Sequence, residues 1–129
     1  CLSGYLWLGA RLGDDAALAT AFNFGPAPEA QRPVRELVEL VLKRWPGEWR
    51  DESDPAAPHE ATTLSLSVDK ARQKLGWRPT WDFATAVGHT AHWYQQRHAA
   101  QAHDLQGLCL AQLGAFTSAA AERGIPWVD

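Results

Sequence analysis

The side chains best equipped for chemistry in this 129-residue chain are five histidines, two cysteines and a few arginines set beside aromatic rings. His89 and His92 stand at i and i+3, the spacing that puts two imidazoles on one helix face, and with His98 and His103 they suggest a metal site. No acidic residue lies between them, so a solvated helix face is the better reading. Cys1 and Cys109 are too far apart for a metal spacing and read as a reduced pair rather than a disulfide. Arg78, in Gly76-Trp77-Arg78-Pro79, carries the planar fork that matches phosphate. An arginine beside a tryptophan corner more often packs its stem along the surface, and that reading is preferred. His59 and Glu60 end a loop marked by Pro55 and Pro58, where they can fix the chain by hydrogen bonding. Asn23, ahead of Gly25, marks either a ligand-side strand end or a plain strand terminus. Among the tryptophans, Trp45, Trp77 and Trp93 fall at core spacings.

These groups must be positioned by a predominantly helical frame. Residues 2–14 place Leu2, Tyr5, Leu6, Leu8 and Leu12 on a broad apolar helix face, weakened by Gly4, Gly9 and Gly13. Residues 21–25 read as a short strand closed by Gly25 and Pro26. Pro33 suits the first helical position, and Val34, Leu37, Val38, Val41, Leu42 and Trp45 form a stripe that must be covered. A short strand is expected at 48–51 and another at 64–67, where Leu64 and Leu66 alternate with Ser65 and Ser67. Ser67 is then expected to cap a helix starting at Val68, which Gly76 stops and Pro79 prevents from continuing. Asp82 caps a helix to about residue 98 with Phe83, Val87, Thr90 and Tyr94 inward, and Asp104 caps a last helix ended by Gly124 and Pro126.

The totals exclude several classes. A net charge of −3 and a pI near 5.9 are wrong for a nucleic-acid surface, which needs a concentrated excess of Lys and Arg. No run approaches the roughly 20 apolar residues of a membrane span and no signal peptide is visible, so the cytoplasm is the expected compartment. The chain has no methionine, which suggests a piece whose start lies upstream.

In order and spacing, "LSGYLWL", "AFNFGP", "HEATTLSLSVDKARQKLGWRPTW", "HTAHWY" and "DLQGLCLAQL" resemble the C-terminal part of the CDP-glucose 4,6-dehydratase family, extended short-chain dehydrogenase/reductases of nucleotide sugars. The likeness runs to about Phe116. Cys1 stands where the family usually has proline, Ser67 where it usually has aspartate, and residues 117–129 form a tail with no counterpart. The family's glycine-rich dinucleotide loop and Tyr-x-x-x-Lys pair are not here: the fourth residue after Tyr5 is Gly9, and after Tyr94 it is His98.

The resemblance implies an α/β fragment, mostly helical, with four main helices plus short strands and the Rossmann core largely absent. Residues 1–116 would be the substrate-binding lobe, with helix 2–14 packed on the missing N-terminal Rossmann part. NAD would be bound by that missing part, a CDP-sugar would be the substrate, and the parent would be a homo-oligomer serving bacterial polysaccharide biosynthesis. NAD takes a hydride from C4 of the hexose, water leaves across C5 and C6, and the hydride returns to C6. This chain would supply binding and water exclusion, with no catalytic residue and no metal. His59 and Glu60 would then contact the diphosphate or ribose, and Arg78 a phosphate. Two alternatives stay open: another extended nucleotide-sugar epimerase or dehydratase, and a non-catalytic helical interaction module.

Overall fold

A computed structural model describes residues 1–54, 65–99 and 104–128. Five α-helices follow in order among them: α1 (Leu2–Leu12), α2 (Val34–Leu42), α3 (Asp69–Leu75), α4 (Phe83–His98) and α5 (Leu105–Glu122). Single 3₁₀ turns occur at Ala16–Leu18 and Pro28–Ala30. α1 packs on α3 and on the first 3₁₀ turn, while α4 packs on both α2 and α5. None of the described residues forms a strand, so the expected strands at 21–25 and 48–51, and the described part of 64–67, are corrected to irregular backbone. A strand needs a partner about 4.8 Å away to take its amides, and alternation of side chains cannot provide one. Residues 23 and 67 do meet, but through the Asn23 side chain, which donates to the Ser67 carbonyl at 3.3 Å.

The central core consists of Leu18, Phe24, Ala71, Leu75 and Trp77, with Trp7, Leu8, Phe22 and Trp127 packed against it. Phe24 is its hub: Tyr5 and Trp77 meet its ring edge to face at 5.1 and 5.0 Å, and Phe22 stacks at 6.3 Å. Two indole N–H groups that burial would otherwise leave unpaired are satisfied across long loops. Trp77 Nε1 donates to Ser3 Oγ at 3.2 Å and Trp7 Nε1 to the Leu75 carbonyl at 2.8 Å. α1 approaches this core through Gly4, where a Cβ would fall inside the Phe24 ring. Its inner side is therefore Gly4, Trp7 and Leu8; Leu2 and Leu6 point outward, each 77% exposed, and Tyr5 lies at the border, 58% exposed with its ring against Phe24.

α3 begins at Asp69, one residue later than expected, with Val68 as N-cap and no side-chain cap. Ser67 does not cap it, a correction with a local cause: its hydroxyl donates instead to Asp69 Oδ2 at 3.2 Å. The end of α3 follows the expected chemistry. Gly76 has φ +63°, its N–H donates to the Arg72 carbonyl at 3.1 Å, and the Pro126 ring lies over it. Pro126 belongs to a C-terminal segment in which Ala120 and Ile125 are buried and Trp127 joins the core. An aromatic row links that segment to α4: Phe116 stacks on Trp127, Trp81 meets Phe116 edge to face, and Trp81 stacks on His89 at 4.1 Å.

The stripe on α2 is only partly covered. No residue of α2 is buried, Val34 is 75% exposed, and Leu37, Val41 and Trp45 line a shallow apolar groove against Val87, Ala91 and Tyr94 of α4. Among the described residues no helix is long and apolar enough to cross a membrane.

Both expected aspartate caps form: Asp82 Oδ1 accepts from Thr85 N–H and Asp104 Oδ1 from Gly107 N–H, each at 2.8 Å. The Thr85 amide holds the Asp82 carboxyl below its ordinary value. Because the folded value lies below the unfolded one, this contribution is present above about pH 4 and is lost as pH falls through the folded value. Asp82→Ala should cost about 1 kcal/mol at neutral pH. Thermal melts would show a drop of a few degrees that Asp82→Asn largely recovers. Identical melts for the alanine variant and the parent would exclude the cap as a stabilising contact.

Candidate functional site

Beside the Gly76-Trp77-Arg78-Pro79 corner lies a groove of about 590 Å³, within the range of small-ligand sites. Its polar lining comes from three places: Glu29 in the second 3₁₀ turn, Ser65 and Ser67 ahead of α3, and Asp69, Arg72 and Arg78 on and after α3. The segments are held in register by side chains. Gln31 Nε2 donates to Ser65 Oγ at 2.7 Å and Asn23 to the Ser67 carbonyl, tying the 23–31 region to the approach of α3. α3 is clamped by Lys70, whose Nζ donates to Thr20 Oγ1 and the Ala21 carbonyl, both at 2.9 Å, and lies 4.7 Å from the Phe22 ring centre. With Ala71 and Leu75 turned into the core, Asp69 and Arg72 are left to the groove.

The structure places Arg78 in this lining and also gives it a structural partner, since its guanidinium donates to the Arg123 carbonyl at the end of α5. That contact leaves its remaining N–H donors available. His59 and Glu60 lie outside the described residues. His89 is spent on the Trp81 stack and His98 sits against Trp45 at 5.1 Å, while His103 lies outside the described residues. No group of three metal-ligating side chains forms among the described residues. Cys1 and Cys109 are both free and exposed, and the Cys109 sulfur accepts from Trp93 Nε1 at 3.3 Å.

Glu29 and Arg72 were not singled out in the sequence. Glu29 sits in a Pro-rich turn with no motif around it, and Arg72 is one of several basic residues on a short helix. The available signal was phase: Ala71 and Leu75 are four apart and face inward, so Arg72 must emerge on a different side.

Over 97 residues, 73% of its length, the chain is 32% identical to the CDP-glucose 4,6-dehydratase of Salmonella typhimurium. The chain spans about a quarter, 27%, of that relative's length. No protein-family model and no solved structure matches it. The chain is thus related in sequence to a dehydratase of CDP-glucose, and its described residues are mostly helical.

Proposed function

We propose that the chain is the C-terminal substrate-binding part of a CDP-glucose 4,6-dehydratase, contributing nucleotide-sugar binding to NAD-dependent formation of CDP-4-keto-6-deoxyglucose. The identity to the Salmonella protein carries this reading. A polar groove of ligand size at the corner shared with the resemblance supports it. In this reading residues 1–116 are the substrate lobe, and Arg78 with His59 and Glu60 meets the phosphates or ribose. The parent is cytoplasmic and oligomeric.

NAD does not fit the residues present. The sequence holds no G-x-x-G-x-x-G loop and no Tyr-x-x-x-Lys pair, so no hydride or proton step is assigned to this chain. The outward face of α1 suits a role as one part of a larger body: Leu2, Tyr5 and Leu6 are 77%, 58% and 77% exposed. We place a Rossmann part holding NAD against α1.

Calorimetric titration of the 129-residue chain with CDP-glucose should give saturable binding, tighter than for UDP-glucose, and no dehydration when NAD is added. Turnover by the chain alone would overturn the assignment of catalysis to residues outside it. Failure to bind CDP-glucose would overturn the substrate reading.

A further inference from the structure

Glu29 and Arg72 line the same groove with opposite charges, yet neither side chain makes an ion pair or hydrogen bond with any described residue. Their neighbours are engaged: Asp69 accepts the Ser67 hydroxyl, Ser65 accepts from Gln31, and Arg78 donates to the Arg123 carbonyl. The groove therefore offers one uncommitted carboxylate and one uncommitted guanidinium, too far apart to satisfy each other. Its two arginines are balanced by two carboxylates, so a bare phosphate or diphosphate placed beside Glu29 and Arg72 would be repelled about as much as attracted.

A neutral ring with adjacent hydroxyls uses such a lining in full. Each hydroxyl donates one proton and accepts at two lone pairs, so one hydroxyl can donate to Glu29 while its neighbour accepts from Arg72. Both hydrogen bonds are charge-assisted. Pro28, Leu66 and Pro79 in the same lining supply apolar surface for the ring carbons.

We infer that Glu29 and Arg72 form a subsite that reads the hydroxyls of a sugar ring, with the diphosphate lying toward Arg78; this rests on the nucleotide-sugar function proposed above. Glu29 is the acceptor and Arg72 the donor. Two rings of a nucleotide sugar have this chemistry, the hexose and the ribose.

The test is calorimetric titration of the parent chain, Glu29→Gln and Arg72→Gln with CDP-glucose and with CDP. Both residues are exposed, so thermal melts of the variants should match the parent. Each variant is expected to bind CDP-glucose roughly tenfold more weakly. If CDP binding is unchanged the ring is the hexose, and if CDP weakens equally it is the ribose; either result supports the subsite. Glu29→Gln binding either ligand more tightly would identify an anion site and overturn the inference, as would variants that bind like the parent. A parent chain that binds neither ligand would sink the proposed function and the subsite with it.

Discussion

Trp77→Ala is expected to lower stability by about 4 kcal/mol, the upper part of the range for truncating a buried large aromatic. The ring is 2% exposed, meets Phe24 edge to face at 5.0 Å, and its Nε1 donates to Ser3 Oγ. Removing it opens a cavity at the junction of α1, the 22–24 segment and α3, and orphans the Ser3 contact. Since domains are stable by only about 5–15 kcal/mol, most of the margin would go. Urea unfolding followed by circular dichroism at the helical band measures the loss directly. Trp77→Phe keeps much of the volume and should lose less than half as much. A midpoint for the alanine variant equivalent to a loss under 1 kcal/mol would mean that the core is not organised around this ring.

Gly4→Ala is expected to destabilise the chain by about 2 kcal/mol, although helix propensity alone favours alanine by about 1 kcal/mol. Sterics outweigh propensity because the added methyl would occupy the Phe24 ring, itself boxed in by Tyr5, Phe22 and Trp77. The same helix contains its own control. A Cβ at Gly9 meets nothing, so Gly9→Ala should stabilise by about 1 kcal/mol. Opposite signs from two identical substitutions five residues apart are the signature. Equal signs in parallel urea titrations would show that α1 does not press on Phe24.

The helices were legible in the sequence because their signals are local. Asp82 and Asp104 cap as their spacing requires, and Gly76 stops α3 in the left-handed conformation that only glycine adopts cheaply. What depends on partners was not legible. The alternation at 64–67 and the aromatic run at 21–25 satisfy a strand pattern, but Phe22 and Phe24 go to the core, Leu66 stays 58% exposed, and the described residues of both runs find no ladder. Gly4 read as a weakness of α1 because its reason, the Phe24 ring, lies twenty residues away. At the groove, Arg78 could be named from its corner. Glu29 and Arg72 could not, since they come to one groove only once the 3₁₀ turn at Pro28–Ala30 is laid beside α3.

The corner at Gly76 is clasped from both directions along the chain. Ser3 and Trp7 reach Trp77 and Leu75 over sequence separations of 74 and 68, and Pro126 and Trp127 close over it from the far side. During translation, then, no segment up to Trp77 can complete the central core, whose cover waits for Pro126 and Trp127. A nascent chain halted before Ile125 would hold α1 and α3 without their cover.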